Sequence, residues 1–529
     1  MTVTPFRPAP PAPETDPAVA EMRRRVQRAE TDKNRHQARL SDCYKFALPW
    51  RHKVGQSQST DQLDEIFAST AMTVLEDFAA DMLNTFTPQK MAWVEIKPVK
   101  TINDQVERRQ LAAQLKRYTE VLFAEMARSN LYQALQEAYL DLGPGTMALI
   151  IQDINKAEPI HCQAIPAGSE LLIDRGLFGG VDGRWRKWKV RCEEIPVLWP
   201  AADPIKGKPA YKMGDMDEHE IIDGVYRDWT DRSSETWHYR VLCGDQIILK
   251  DTYRGAGSCP MPVARWSRDS TTAWGVGPTY RSTPDIKTEN HVKFLGLKNL
   301  DKIVDPAGTF EDDGVINFDQ GIVPGTMIPR AVGSKAPEMM ESKGRFDVQF
   351  MELEDTRSSI KRAHYQDRPE QQGKTPPSAT QWADEAAERA RRMGSPATNL
   401  VIELQYPIIK RFAYLLTARG VLPKIELNGE EIAVEPVSPL LRAQEQEEVV
   451  RMDRFVEMVA ARFGPAMANI LIDQFKHTSD LAKLMGYDPA RLRKEEDIGE
   501  AIKKFSGLLQ QGNAPTELSA PPSGAGIVP

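Results

Sequence analysis

The chain has 529 residues, which predicts two to four structural units at the usual size of about 150 residues each. Apolar residues make up 41% of the chain and charged residues 27%, which is typical of a folded globular protein and not of a disordered one. The formal net charge is −7, which argues against a protein whose whole surface grips nucleic acid by counterion release. Any contact with DNA is therefore expected to be local.

The cysteines and the N-terminus favour a protein of a reducing compartment without a signal peptide. The five cysteines are scattered and form no C-x-x-C pair, so we expect buried free thiols, and neither disulfides nor a zinc site. No apolar run approaches the roughly 18 to 20 residues that a membrane span needs. Residues 1–19 are rich in proline and lack an apolar signal core, which predicts a disordered arm.

Helical patterns dominate the N-terminal part of the chain. Residues 17–47 are dense in Arg, Glu and Gln and stop before Leu48-Pro49, which predicts a long charged helix. Apolar residues recur at helical spacing between Asp61 and Asn84, which predicts a second helix. Residues 104–142 form a further helical region, which ends at Gly143-Pro144-Gly145.

Strand patterns take over next, before helices return. Thr146 to Gln152 is typical of a buried strand, and residues 147–265 alternate short β-rich runs with turns. A helix is predicted over 283–304, followed by a turn-rich, β-like segment at 305–342. The remaining predictions are helices over 345–364, 378–392, 399–419 and 439–505, and a disordered tail after Gln510.

Two glycine-containing segments imitate nucleotide-binding motifs without meeting their requirements. Gly373-Lys374-Thr375 looks like the end of a phosphate-binding loop, but Arg368 stands in the place of the loop's first glycine, and two prolines follow instead of a helix start. Gly275-Val276-Gly277-Pro278 lacks the third glycine of a dinucleotide-binding turn. We interpret the second segment as a structural turn.

Other candidate catalytic and metal-binding residues are weak. His161 and Cys162 are neighbours in a predicted strand, so their side chains point to opposite faces and cannot readily share a proton. Glu311-Asp312-Asp313 is a run of acids before a glycine, which is more typical of a solvated turn than of a metal site. The sequence therefore predicts a protein that is not an enzyme and has no catalytic residue, metal or cofactor.

Short packing and turn motifs follow one another in a fixed order across roughly residues 20–500. They are Tyr44-Lys45-Phe46-Ala47-Leu48-Pro49, Asp64 to Ala71, Leu83 to Pro88, Met91-Ala92-Trp93-Val94, Gly143-Pro144-Gly145-Thr146, Ala264-Arg265-Trp266, Trp274 to Pro278, Asp285-Ile286, Asn290, Pro377 to Trp382, Gly420 to Pro423 and Val437 to Leu440. In this order they resemble the head-to-tail connecting protein family of short-tailed bacteriophages. In one departure, Ser378-Ala379-Thr380-Gln381 stands where that family often has Thr-Ala-Thr-Glu.

The resemblance implies an α+β, portal-type subunit with a mixed α/β wing, an α-helical stem, a small β-containing clip and an α-helical crown. By analogy, the parts would be the arm (1–19), the wing (20–282), a stem helix (283–304), the clip (305–342), a second stem helix (343–365), a tunnel loop (366–378), a wing and long-helix region (379–435), the crown (436–505) and a disordered tail (506–529).

The resemblance also implies a function. Such subunits form a ring of about twelve copies at one vertex of the capsid, around a channel through which double-stranded DNA is packaged and ejected without sequence specificity. The implied partners are the terminase motor, the scaffolding and major capsid proteins and a tail adaptor, with assembly in the cytoplasm of the bacterial host. Two alternatives stay open: an ATPase or nuclease of the packaging motor, and a capsid or tail protein without a channel.

The helix predicted over 283–304 has a wide apolar surface. At 100° per residue, its apolar residues spread over more than half of the circumference, which one partner could not cover. Neighbouring subunits on both sides, as in a closed ring, could bury all of it. The residues concerned are Val292, Leu295, Leu297, Leu300, Ile303 and Val304.

Basic residues form a stripe on the same helix. Lys287, His291, Lys298 and Lys302 fall within an arc of roughly 60° and extend about 22 Å along the helix axis. Our hypothesis is that the stripe contacts the DNA backbone in the channel; a solvated outer face or a protein-docking surface would explain it as well. Arg368 and Lys374, in the tunnel loop by analogy, are further candidate contacts, although ordinary solvated loop charges explain them equally well.

Overall fold

The computed structural model describes residues 16–51, 65–98, 105–205, 216–230, 234–304, 308–311, 327–330, 346–366, 392–423, 432–437, 454–459, 461–462 and 478. The chain divides into two compact units, Met1–Leu440 and Leu441–Pro529. Within the second unit, residues 454–459 and 461–462 are helical, in agreement with the helix predicted there. The rest of that prediction, over 439–505, lies outside the described residues.

The described part of the chain mixes helices and sheets, which confirms the predicted α+β class. Its helices are α1 (Pro17–Ala47), α2 (Thr70–Thr85), α3 (Gln105–Arg128), α4 (Leu131–Leu142), α5 (Ile195–Leu198), α6 (Pro278–Val304), α7 (Phe346–Ala363), α8 (Gly394–Leu400) and α9 (Tyr406–Ala418). A π-helical turn, Val401–Gln405, joins α8 to α9, and a 3₁₀ turn, Pro49–Arg51, follows α1. Among the helices described, none is long and apolar enough to cross a membrane.

The strands of the described residues form four sheets. They are β1 (Val94–Pro98), β2 (Thr146–Gln152), β3 (His161–Ile165), β4 (Leu171–Arg175), β5 (Val181–Arg191), β6 (Glu218–Asp228), β7 (Thr236–Cys243), β8 (Gln246–Arg254), β9 (Val263–Arg265), β10 (Gly308–Glu311), β11 (Met327–Arg330) and β12 (Ile432–Pro436). Strands β4 to β8 make an antiparallel meander, and β2 lies between β3 and β9. The pair β1 and β12 is antiparallel, whereas β10 and β11 are parallel.

Both faces of the five-stranded sheet are covered, because successive residues of its strands point to opposite sides. Leu172 and Trp185 lie on the face that packs against α1. Leu171 and Ile173 lie on the other face, which packs against β2 and β9. The α1 side is completed by the buried residues Val19, Met22, Val26, Ala29, Tyr226, Leu242 and Ile247.

Helix α1 begins inside the segment that was predicted to be a disordered arm. The carboxylate of Asp16 accepts a hydrogen bond from the Ala18 backbone N–H at 3.0 Å, which caps the helix, and Pro17 occupies its first position. Val19 is already buried against the sheet. The prediction of a disordered arm over 1–19 is therefore wrong for residues 16–19, while residues 1–15 lie outside the described part.

Three predicted helix starts need correction. The second helix begins at Thr70 and not near Asp61, because Asn290 holds the backbone N–H groups of Phe67 and Ala68 in a non-helical segment. The helix predicted from residue 283 begins at Pro278, so Pro284 lies inside it. The helix predicted from residue 399 begins at Gly394. The helix predicted over 378–392 falls almost entirely outside the described residues.

The cysteines and the His161–Cys162 pair agree with their structural interpretation. All five cysteines are free, and only Cys259 is partly exposed. His161 is exposed on one face of β3, whereas Cys162 is buried on the other face. Asp312 and Asp313 lie outside the described residues, and so does the segment Gly373-Lys374-Thr375.

Buried charged groups fasten α1 to its neighbours. Asp141 of α4 accepts hydrogen bonds from the Tyr44 hydroxyl at 2.8 Å and from the Ala167 backbone N–H at 3.3 Å, and burial raises the pKa of its carboxyl to about 6. Lys33 donates to the Leu171 carbonyl at 2.9 Å, and burial lowers the pKa of its ammonium to about 8. These contacts join α1 to both the helical layer and the sheet.

The two glycine motifs of the sequence meet in one backbone junction. Gly145 has a φ of +137°, and a Cβ atom there would lie 2.4 Å from the Gly275 carbonyl oxygen. The Gly277 N–H donates to the Pro144 carbonyl at 3.1 Å, and the Thr279 N–H donates to the Gly143 carbonyl at 3.0 Å. The interpretation of residues 275–278 as a structural turn is thus confirmed, and the turn delivers the chain into α6.

Replacing Gly145 with alanine is expected to lower the free energy of unfolding by about 3 kcal/mol or more, because the new Cβ meets backbone and the positive φ is strained. Gly255→Ala is the matched control, since its φ is +101° but a Cβ there meets nothing within 4 Å. Denaturant unfolding of both variants measures the difference. Equal losses in the two variants would show that close approach at the junction does not matter.

Candidate functional site

Helices α6 and α7 form a pair that extends from the body of the first unit. Ser359 donates to the Asp285 carboxylate at 2.7 Å near one end, and the Gln349 side-chain amide donates to the Val292 carbonyl at 2.9 Å further along. The helices therefore run in opposite directions. They pack tightly at Gly296, where a Cβ atom would lie 1.8 Å from the Gln349 amide nitrogen.

The near end of the pair is anchored by polar groups. Glu289 is 1% exposed and accepts hydrogen bonds from the Thr70 hydroxyl at 2.7 Å and from the Arg357 guanidinium at 2.9 Å. Asn290 accepts from the N–H groups of Phe67 and Ala68, at 2.7 and 3.2 Å, and donates to the Glu65 carbonyl at 2.9 Å. Glu289 and Asn290, which we call the anchor, tie α6 to α7 and to the segment before α2.

A histidine completes the near end. His364 follows α7, is buried against Phe78, and pairs with the Thr279 hydroxyl of α6 at 2.8 Å. Burial lowers the pKa of its imidazole to about 4, so the ring stays neutral near pH 7.

Two contacts with α1 are added where Pro284 interrupts the hydrogen bonding of α6: the Tyr280 carbonyl accepts from Arg39 at 3.4 Å, and Lys287 pairs with Asp42.

The far end of the pair exposes apolar side chains. They project from the last turns of α6 and the first turns of α7, beyond the anchor. Seven large residues have exposed fractions between 43% and 76%, and we call them the apolar end: Leu295, Leu297, Leu300, Ile303, Val304, Phe350 and Met351. Several large apolar side chains exposed at one end of a helix pair are typical of a site of association.

The basic residues of α6 lie on a different side of the helix from α7. At 100° per residue, Lys287, His291 and Lys298 fall within about 40° of arc, roughly opposite the positions that contact α7. All three side chains are exposed. The structure thus brings the three residues onto one side, but the charge of Lys287 is already paired with Asp42, and Lys298 lies over the Phe294 ring at 4.3 Å.

The other predicted contact residues lie wholly or partly outside the described part of the chain. The backbone of Lys302 belongs to α6, but its side chain lies outside the described part. Arg368 and Lys374 also lie outside the described residues, as does the tunnel loop except for Gln366.

Four residues of the pair are absent from the sequence predictions of function: Glu289, Asn290, Phe350 and Met351. The signal for Glu289 was available, because this acid falls inside the apolar arc of the helix, where a charge requires a buried partner. Asn290 was noted only as part of a motif. The exposure of Phe350 and Met351 depends on which face of α7 meets α6, and a single-helix pattern does not contain that information.

A family model for the bacteriophage head to tail connecting protein matches residues 19–492. The chain belongs to this family. The "Probable portal protein" of Bordetella phage BPP-1 is 22% identical over 486 residues, which cover 85% of this chain and 85% of that protein.

Two solved structures of gene transfer agent particles are also similar. A chain in a structure titled as the virion of a native gene transfer agent particle has 11% identity and a TM-score of 0.36, with 82% of this chain and 95% of that chain covered. A chain in the neck of an empty particle, computed with C6 symmetry, has 12% identity and a TM-score of 0.34, with the same coverage. Scores this low do not establish a shared fold by themselves.

Several motifs that carry the family resemblance are interior packing and hydrogen-bonding residues in the described part of the chain. Gly143 to Thr146 and Trp274 to Pro278 meet in the backbone junction, and Trp266 is 1% exposed beside them. Asn290 is half of the anchor. Within the described residues, these segments of the connector-family chain therefore position α6.

The Asn290→Ala variant is expected to unfold with a free energy lower by about 2–4 kcal/mol, because three hydrogen bonds are lost and two backbone N–H groups lose their acceptor. Thr288→Ala, an exposed neighbour on the same helix, should change stability by less than about 0.5 kcal/mol. Thermal or denaturant unfolding compares the two. If Asn290→Ala matches Thr288→Ala, the anchor does not hold α6.

Proposed function

We propose that the protein is the portal subunit of a bacteriophage, a structural protein that forms a ring-shaped DNA channel at one vertex of the capsid. Membership of the connector family and similarity to a probable portal protein support this function. The proposal includes a ring of about twelve copies, passage of the genome through the channel, and docking of the packaging motor and tail. We favour it over a motor ATPase, which would need an intact phosphate loop.

The observation that carries the proposal is the apolar end of the α6–α7 pair. Leu297 and Leu300 are 43% and 48% exposed, although both lie on a helix whose other end is firmly built into the subunit. Covering a half-exposed leucine contributes roughly 1 kcal/mol, so seven such residues favour a contact that repeats around a ring. A second copy on each side of the pair would bury the apolar sides of α6 that do not contact α7.

Introducing glutamates at Leu297 and Leu300 is expected to prevent ring assembly without unfolding the subunit, because charges would be buried between copies but are solvated in the monomer. Negative-stain electron microscopy and sedimentation of the purified protein measure ring formation, and the wild type should show rings with a central hole. Ile154→Glu is the control, since Ile154 is 60% exposed on a different part of the first unit.

The contrary results are equally clear. If the double variant forms rings in normal abundance, the apolar end does not lie in the interface between copies. A wild-type protein that stays monomeric at high concentration, or turns over nucleotide, would overturn the portal assignment itself.

We also propose that the basic side of α6 faces the channel and touches the DNA backbone without reading sequence. Supporting this role, His291 and Lys298 are exposed and share one side of the helix, away from α7. The pairing of Lys287 with Asp42 weakens its part in the stripe. The same role is proposed for Lys302, Arg368 and Lys374.

The Lys298→Gln variant is expected to lower the fraction of DNA-filled heads several-fold while rings still form, because every copy in the ring loses one positive charge. Lys293→Gln is the matched control: it removes the same charge from the same helix, about 140° away around the axis. Packaged DNA per head, measured after complementation of a portal-deficient phage, separates the two variants. Equal filling in both would mean that the stripe is an outer face.

The division of labour along the chain remains part of the proposal. The wing would hold the five-stranded sheet and the junction, the α6–α7 pair would be the stem, and the β10–β11 pair would belong to the clip. The terminase motor, the scaffolding and major capsid proteins, and a tail adaptor are the partners proposed for these parts, with assembly in the bacterial cytoplasm.

A further inference from the structure

A groove runs along the solvent side of α1, in the first unit. Two cavities of about 410 and 580 Å³ share Arg28, Asp174 and Arg175 in their walls, so they form one continuous depression. One wall is α1 itself, and the opposite wall is the turn between β4 and β5 together with the end of β6.

The groove contains arginines whose guanidinium groups are available to bind a ligand. Arg24, Arg28 and Arg35 project from α1 at spacings of four and seven residues, which places them along one side of the helix. Arg28 pairs with Asp174 at 2.5 Å. Arg24, Arg35 and Arg175 are exposed and make no ion pair with any residue in the described part of the chain.

The carboxylates of the groove, by contrast, are already engaged. Asp32 accepts from the Thr272 hydroxyl and the Ala273 N–H, both at 3.0 Å. Asp182 accepts from the Leu177 N–H at 3.1 Å and from the Trp229 indole at 2.6 Å. What the groove still offers to a ligand is therefore mainly guanidinium donors.

One end of the groove is apolar and rigid. Leu177 and Phe178 are 76% and 75% exposed at the tip of the β4–β5 turn, and the Phe178 ring packs edge-on against Trp229 at 5.0 Å. The Gly179 carbonyl accepts from Arg268 at 2.7 Å and from Arg265 at 3.1 Å, which fixes the turn. Large apolar side chains on an immobilised turn lose little entropy on binding.

We propose that this groove binds an extended acidic segment of a partner protein, with carboxylates against Arg24, Arg35 and Arg175 and an apolar side chain against Leu177 and Phe178. Guanidinium groups recognise carboxylates through paired hydrogen bonds, which suits these donors. Nucleic acid fits less well, because a phosphate backbone carries a charge at every nucleotide and would meet Asp32 and Asp174, whereas a peptide can place uncharged residues opposite these carboxylates. The site is separate from the proposed channel and stands independently of it.

The test uses a fluorescein-labelled peptide of about ten residues that alternates glutamate with leucine, titrated with the full-length protein and followed by fluorescence anisotropy. The wild type should bind the peptide, and added salt should weaken binding. The triple variant Arg24→Gln, Arg35→Gln, Arg175→Gln should bind at least tenfold more weakly. The control triple, Arg117→Gln, Arg191→Gln, Arg362→Gln, removes three exposed arginines elsewhere and should bind like the wild type.

A second variant separates the apolar contact from the charges. Leu177→Ser with Phe178→Ser should weaken the glutamate–leucine peptide severalfold but leave a glutamate–serine peptide unaffected. The proposal is overturned if the groove triple binds like the control triple. It is also overturned if single-stranded DNA, and not the peptide, shows the arginine dependence, or if the triple changes self-association, which would make the occupant a second copy of this chain.

Discussion

The close backbone contact between residues 143–146 and residues 274–279 is the constraint on which the rest of the first unit depends. Gly145 and Gly275 approach within distances that no side chain permits, and hydrogen bonds from Gly277 and Thr279 close the contact. On one side of this junction lie α4 and β2, and on the other lies the first turn of α6. The orientation of α6 is therefore set by the main chain before any side chain of the helix contributes.

From the junction outward, α6 changes character along its length. Its first turns bury small polar groups, and Glu289 and Asn290 then fasten the helix to α7 and to the segment before α2. In the last turns of α6 and the first turns of α7, the large apolar side chains stand in solvent. The pair thus has a base fixed by several polar contacts and an apolar end exposed to solvent, with the Gln349–Val292 hydrogen bond between the helices further along.

The sequence predicted the helices and the strand-rich region because the spacing of apolar residues and the positions of helix-breaking residues are local properties of the chain, as α1 and β2 show. It placed the start of the second helix too early, because Ile66 and Phe67 fit a helical period but their segment is held by Asn290, which is more than 200 residues distant. The π-helical turn that brings Glu403 to Arg265 was equally invisible, since it satisfies a non-local ion pair. The helical spacing of residues in α6 was enough to predict its basic side. The anchor and the groove could not be predicted in this way, because each of them joins segments that lie far apart in the chain.

Because the apolar end of the helix pair is uncovered, the stability of the pair depends on protein concentration. A helix pair whose far end exposes residues such as Leu300 and Phe350 gains little from folding alone, because their apolar surface stays in water. Association covers that surface without rebuilding the base, since the anchor and the junction already fix the direction of α6. In the proposed ring, covering this surface would stabilise each interface between neighbouring copies, and the contribution would repeat once per interface.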